Sequence, residues 1–591
     1  MSAFYPRERV FQLLDQAARA PVVWVSAPPG AGKTTLVASW LESRDLPALW
    51  YHLDAGDSDL ATFFYYLGRA AGQVVPTSRK PLPLFTPEYQ FGLSVFSKRF
   101  FEGLFSRLKP PAVVVFDDYH EIPADSPFHG ALRDGLETIP QGMTAVLISR
   151  KAPVAAMARM KARGRMEALD WDDLRLSLDE TKGLADLHCK KELPPSLLQN
   201  LHEKARGWAA GIVLMLAGGK TNASVYILQA ETPHEEIFDY FAGELFEKMD
   251  EDTRKFLLMT AFLPSMTAVM AERLSGFAAS GKTLAHLCRN RYFTEMHIRD
   301  TSVYQYHPLF REFLLFRARE LFSPDELGRI QKSAAALLAE EGLNEDAAMI
   351  LRIARDWKGL VGLVLSQAQA LMAQGRHQTL QEWIEAVPQE IMEHNPWLLF
   401  WLGACRLPVD PNGARDCFEQ ALAGFDADAD SAGVFMAWSF AVDSFLLDPS
   451  GVARLDHWIA LIDELMMRYP LFPSPIIEAH VYTGILFALA IRQPQRPETG
   501  EWAKRALALS AEIRDPQLYG KTAQVVILYH IWSGDLPAVK MVIEPLRESI
   551  AYRGASPPLP FIALKHYEAL YCWLSAQAEA RAWPMFRRLC W

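Results

Sequence analysis

At 591 residues the chain exceeds what one hydrophobic core serves, so several domains are expected. Hydrophobic residues make up 50% and charged residues 22%, a balance that excludes a disordered chain. The net charge of −10 argues against a surface built mainly for DNA.

Six cysteines (Cys189, Cys288, Cys405, Cys417, Cys572 and Cys590) show no C-x-x-C spacing and no adjoining His pair. They therefore offer no structural-zinc pattern and suit a reducing compartment. Residues 1–10 lack the apolar stretch of a signal peptide. The most membrane-like segment, 475–491, carries Glu478 and His480 and reads as a buried helix. A cytoplasmic protein without a membrane partner is expected.

The first third alternates short apolar runs with amphipathic stretches. Residues 22–25, 48–53, 113–116 and 145–148 read as buried strands, with helices such as 35–41 and 60–70 between them. Strands alternating with helices predict a parallel α/β sheet. The first strand runs into Ala27-Pro28-Pro29-Gly30-Ala31-Gly32-Lys33-Thr34-Thr35. A glycine-rich turn between a strand and a helix is the setting of a phosphate loop. Gly30 and Gly32 let backbone N–H groups turn inward toward phosphate oxygens, and the helix N-terminus adds positive potential. Lys33 is the candidate for the β- and γ-phosphates, and the Thr34 hydroxyl for Mg²⁺. Ala27 stands where the strict pattern has glycine, which is compatible with a negative φ.

A second strand ends Val113-Val114-Val115-Phe116-Asp117-Asp118. Carboxylates at a strand's C-terminal end face the ligand edge of an α/β sheet. Asp117 is the candidate metal ligand, and Asp118 the candidate base that polarises water. A third strand ends Ala145-Val146-Leu147-Ile148-Ser149-Arg150, where Arg150 is placed to sense a terminal phosphate.

Beyond residue 179 helices dominate, at 180–187, 197–216 and 234–263. Residues 293–296 and 303–306 predict a hairpin around Arg299-Asp300, and helices followed by a hairpin fit a winged helix. From 324 onward the pattern is helical, with breaks at Gly375-Arg376, Asp410-Pro411-Asn412-Gly413, Asp448-Pro449-Ser450-Gly451 and Gly534-Asp535-Leu536-Pro537. Helices of roughly 12–18 residues between such breaks predict a tetratricopeptide-like solenoid. The expected plan is multidomain: an α/β phosphate-loop NTPase (1–178), a helical subdomain (179–250), a winged-helix subdomain (251–323) and an α-solenoid sensor (324–591). The chain ends Arg587-Arg588-Leu589-Cys590-Trp591 without a polar cap, which reads as truncation or as continuation in a separate module.

These motifs together resemble the MalT-like (maltose-regulator-like) branch of the STAND signal-transduction ATPases, relatives of the nucleotide-binding modules of plant resistance and apoptosis proteins. Further segments carry the likeness: Trp50-Tyr51-His52-Leu53-Asp54, Phe116-Asp117-Asp118-Tyr119-His120, Gly207-Trp208-Ala209-Ala210-Gly211, Ile237-Phe238-Asp239-Tyr240, and Tyr306-His307-Pro308-Leu309-Phe310. Gly375-Arg376 with Leu380, Trp383 and Pro388 resembles the opening of the family's helical sensor. The resemblance implies a switch in which ADP holds a closed monomer, while ATP with an inducer permits self-association. It implies ATP/ADP and Mg²⁺ as cofactors, with hydrolysis that is slow and regulatory. It implies nucleotide contacts for His307 and Arg7 beside Pro29, Gly30, Ala31, Gly32, Lys33, Thr34 and Thr35. It implies a small-molecule inducer or regulatory protein on the helical repeats. Many relatives bind DNA through a LuxR-type helix-turn-helix; no such segment is visible here, so DNA contact is expected only through another output domain. The competing readings are a constitutive nucleotide-hydrolysing enzyme and a helical scaffold. Trp383, Trp397, Trp401 and Trp438 are candidates for a receiving surface, or for core between helices.

Overall fold

The computed structural model describes residues 5–74, 81–188, 193–217, 243, 246–247, 249–289, 293–298, 302–513, 515–551 and 558–575. It divides into two compact units. The first comprises Met1–Phe63, Arg69–Pro76 and Ser97–Leu363; the second comprises Phe64–Gly68, Thr77–Phe96 and Val364–Trp591.

In the first unit, strands Val22–Ser26 (β1), Ala48–His52 (β2), Ala112–Asp117 (β3), Met143–Ser149 (β4) and Met166–Leu169 (β5) form one sheet. Its order is β2-β3-β4-β1-β5 and every pairing is parallel. The β-branched runs in β1 and β3 suit burial on both faces. Val23, Val25, Val113, Val115 and Val146 share one core with Leu36 and Trp40 of helix Lys33–Ser43. Four strands match the sequence reading. The fifth escapes it because β5 is a short edge strand whose apolar run is broken by exposed Glu167.

Placing β4 between β1 and β3 brings four chain crossings to one edge. The C-terminal ends of β1, β4, β3 and β2 carry the phosphate loop, Arg150, Asp117-Asp118 and His52 respectively. A parallel sheet puts all these ends on the same side, which is where α/β folds bind ligands.

The helical region expected over 197–216 comprises two helices, Pro195–Ala205 and Ala209–Ala217. Arg206 (φ 48°) and Gly207 (φ 73°) take the left-handed conformation and end the first helix. Part of the expected 234–263 helix, including Ile237 to Tyr240, lies outside the described residues. Within the described part, helix Glu251–Thr260 is capped by the Asp250 carboxylate, which accepts from Thr253 N at 2.8 Å.

Met266–Thr267 (β6), Thr294–Ile298 (β7) and Ser302–Tyr306 (β8) form a three-stranded antiparallel sheet in the order β6-β8-β7. The expected hairpin is present, though Arg299 and Asp300 lie outside the described residues. Helix Pro308–Leu321 follows β8 directly. Tyr306 Oη and Thr260 Oγ1 hydrogen-bond at 2.7 Å, and Arg311 Nε donates to the Ala261 carbonyl at 2.8 Å. These buried polar links tie the helix ahead of the sheet to the strand and helix after it.

The second unit is a helical array. Its helices start with a recurring pair, a side-chain cap followed by proline: Asn395-Pro396, Asp410-Pro411, Ser474-Pro475 and Asp515-Pro516. The cap oxygen accepts a first-turn N–H, and proline at the first helical position lacks a donor that would go unpaired. Trp438 is fully buried and donates to the Trp458 carbonyl at 2.9 Å, so it belongs to the core between helices. Trp397 donates to the Asp430 carboxylate at 3.1 Å across neighbouring helices. Helix Pro475–Arg492 is the one described helix long and apolar enough to cross a membrane; 56% of it is buried in the array. Cys189, Cys590 and the terminal Arg587 to Trp591 lie outside the described residues.

Candidate nucleotide-binding site

The turn after β1 is built by two glycines in the left-handed region, Gly30 (φ 70°) and Gly32 (φ 79°). Gly32 occupies the N-cap of helix Lys33–Ser43. Ala27 is not among the positive-φ residues, so the glycine missing from the strict pattern carries no backbone strain. Ala31 is buried, and its N–H donates to the Pro28 carbonyl at 3.3 Å. Thr34 is exposed at the mouth of the turn, while Thr35 lies half-buried behind it, its carbonyl accepting from Ser39 Oγ.

Lys33 Nζ donates to the carbonyls of Ala27 at 2.9 Å and Pro28 at 3.2 Å. The ammonium thus folds over its own loop. Burial holds its pKa down to about 8, and nearby Arg150 adds to the depression, against Asp117 and Asp118. Two cations and two carboxylates therefore share this edge.

Asp117 is 1% exposed. Its Oδ1 accepts the Asp118 N–H at 2.9 Å, whereas its Oδ2 has no partner within hydrogen-bond geometry among the described residues. Burial pushes its carboxyl above the ordinary range, while His52, the Thr34 hydroxyl and Lys33 favour the ionised form. Asp118 sits at φ 58°, rare for a residue with a side chain. Burial and the Asp117 charge raise its pKa as well, against His52, Arg150 and Lys33. A carboxylate held this way is suited to accept a proton from water.

Arg150 follows β4 and acts electrostatically on Lys33, Asp118, His120 and His307. His307 opens helix Pro308–Leu321 of the winged-helix part. Burial first, then Arg150 and Lys33, lower its pKa to about 4, so its imidazole is neutral at neutral pH. A neutral imidazole can still donate one N–H to a phosphate oxygen. Residues from the loop, the sheet and the winged helix thus meet within one electrostatic neighbourhood.

Arg7 is placed differently. Its guanidinium donates to the carbonyls of Leu174 and Arg175 at 2.8 and 3.1 Å, and to the Glu180 carboxylate at 3.1 Å. It fastens the start of helix Glu8–Ala17 to the segment entering helix Leu178–His188.

Four neighbours have no role attached by the sequence alone. Trp208 Nε1 donates to the Pro29 carbonyl at 2.9 Å, and Ala210 N donates to Gly30 O at 3.0 Å. The buried imidazole of His120 is lowered to about 4 by burial, Arg150, Lys33 and Lys151. His52 lies beside Asp117. Gly207-Trp208 was visible as a motif, but nothing local says which loop it touches.

The donor set fits a nucleotide phosphate with a divalent cation. It offers a helix N-terminus, Lys33 and Arg150 for anionic oxygens, and a buried carboxylate oxygen without a hydrogen-bond donor for a cation.

A family model described as the MalT winged helix domain matches residues 242–326. The HTH-type transcriptional regulator MalT of Cronobacter sakazakii is 27% identical over 405 residues, which are 67% of this chain and 44% of that relative. The match thus spans less than half of the relative's length. Among solved structures, a STAND protein with a tetratricopeptide repeat sensor from Pyrococcus horikoshii is similar at TM-score 0.41 and 14% identity, covering 100% of this chain and 97% of that one. A Walker-type ATPase of Pyrococcus abyssi is similar at TM-score 0.28 and 11% identity, covering 53% and 96%. The chain thus matches the MalT winged-helix model over residues 242–326 and is similar to MalT over 67% of its own length.

Proposed function

We propose that this chain is an ATP/ADP-dependent signalling switch that regulates transcription. One observation carries the reading: Arg150 of the sheet and Lys33 of the phosphate loop both lie close enough to His307 of the winged helix to help lower its pKa. A ligand held by all three couples the winged helix to the phosphate loop. It shifts a conformational equilibrium only if it binds one arrangement better than the other.

ATP and ADP differ by the terminal phosphate. Lys33, Thr34, Asp117 and Arg150 are the groups that discriminate them, with Pro29, Gly30, Ala31, Gly32 and Thr35 shaping the cradle. Thr34 and Asp117 hold Mg²⁺, which neutralises phosphate charge. Asp118 orients water for a slow hydrolysis that resets the switch. The helical repeats receive a small-molecule inducer or a regulatory protein, and ATP permits self-association. The relative's name supports a transcriptional role, with DNA contacted through a helix-turn-helix module of the kind that name prints.

The test is to purify the chain, denature it and identify released nucleotide by chromatography. Its size is then compared in ADP and in ATP-Mg²⁺. Retained ADP, slow basal turnover and a larger assembly in ATP with a ligand are expected, all abolished by Lys33→Ala. Rapid turnover without any partner would favour a constitutive hydrolase. No nucleotide and no affinity would leave a helical scaffold.

A further inference from the structure

His52 is the unexplained member of the site. It ends β2, and strand register pairs it directly with Asp117 of β3. Neighbouring residues in register on parallel strands point to the same face of the sheet. His52 Nδ1 lies 3.7 Å from Asp117 Oδ2 and 4.0 Å from Asp118 Oδ2. The first distance is too long for a hydrogen bond. Asp117 Oδ2, almost wholly buried, has no partner within hydrogen-bond geometry among the described residues.

Among the described residues, His52, Asp117 and Asp118 are close enough to share a cation: their ligand atoms lie within 4.8 Å of one another. Asp118 has left-handed backbone, and its carboxylate comes within 4.0 Å of the His52 ring nitrogen. The His52 side chain is 64% exposed, so it meets an incoming ion without being uncovered. An oxygen-only site suits Mg²⁺; adding an imidazole suits first-row transition cations, which accept nitrogen readily.

We propose that His52 is a nitrogen ligand of the divalent cation at the phosphate loop, so that the site takes an imidazole-accepting cation such as Mn²⁺ in preference to Mg²⁺. The proposal deepens the nucleotide-site reading above and rests on it for the identity of the cation's phosphate partner. His52 joins Thr34 and Asp117 as protein ligands, Asp118 stays close by to orient water, and Lys33 and Arg150 are left to anionic oxygens.

The test uses the full chain with Mn²⁺, with and without ADP, read by pulsed electron paramagnetic resonance. Coupling from a directly bound imidazole nitrogen is expected in the native chain and absent in His52→Ala. In titrations, His52→Ala should weaken Mn²⁺ binding at least about tenfold, and Mg²⁺ binding by less than about threefold. Bound Mn²⁺ without nitrogen coupling, or equal losses for both cations, would overturn the proposal. ADP binding is measured separately by fluorescent-analogue titration. If ADP fails to bind while nitrogen coupling persists with Mn²⁺ alone, the switch reading falls and His52 stands. If Mn²⁺ alone also fails to bind, both fall.

Discussion

The Trp208 indole donates to the Pro29 carbonyl at 2.9 Å, fastening the loop ahead of helix Ala209–Ala217 to the phosphate loop. Ala210 N adds a second bond to the Gly30 carbonyl at 3.0 Å. The phosphate loop is thus braced from outside the sheet, by a segment that the left-handed Arg206 and Gly207 turn toward it.

Trp208→Phe removes the N–H and keeps most of the packing. A buried hydrogen bond contributes about 1 kcal/mol, so nucleotide affinity should fall about fivefold. Fluorescent-ADP titration checks this. Unchanged affinity would mean that the brace has no bearing on the bound state.

Gly30→Ala should damage the fold as well as the site. A Cβ at Gly30 would lie 2.7 Å from the Ala210 Cβ, and φ is already 70°. Left-handed strain and overlap each cost on the order of 1–3 kcal/mol, which a lowered Tm reports. A Tm equal to the parent's would show that the brace yields.

Lys33→Met should separate function from stability. Burial holds the ammonium to a pKa of about 8, so the folded chain tolerates the charge at a cost. Methionine keeps the stem and drops the charge. Nucleotide retention should vanish, while Tm without nucleotide stays level or rises. A fall of several degrees would mean that the bonds to Ala27 and Pro28 outweigh the burial cost.

The helical array should be acid-sensitive through His480. Lys521 Nζ donates to Asp443 Oδ2 at 2.7 Å and approaches His480 Nδ1 at 3.4 Å. Burial, then Lys521, lowers the His480 pKa to about 3. Above pH 6.5 the imidazole is neutral folded or unfolded and adds no pH dependence. Between about 6.5 and 3 the unfolded chain binds a proton that the folded chain refuses, so stability falls as pH falls. His480→Gln should flatten the slope of Tm against pH in that window. An unaltered slope would assign acid sensitivity to other groups.

The local motifs were readable because each packs its chemistry into consecutive residues. The phosphate loop needs only a strand, two permissive glycines and a helix start, all adjacent between Val22 and Ser43. Asp117 and Asp118 are marked by the apolar run before them, and Arg150 by the run before it. The array announced itself through caps and prolines that act within one helical turn.

Pattern alone leaves some side chains open. Trp438 reads as inter-helix core more readily than as a binding surface, and packing between helices put it in the core. β5 was missed because an edge strand buries too little to show a continuous apolar run.

Residue order alone carries the chemistry of the phosphate loop, since backbone turn, lysine and hydroxyl lie within covalent reach of one another. Strand order and register decided the rest. They set His52 beside Asp117, while packing of the later segments set Trp208 on Pro29 and His307 within the field of Lys33 and Arg150. Those pairings join segments far apart in the chain. Each exists only because a parallel sheet collects its strand ends on one edge, and because distant helices bury their apolar faces against that edge.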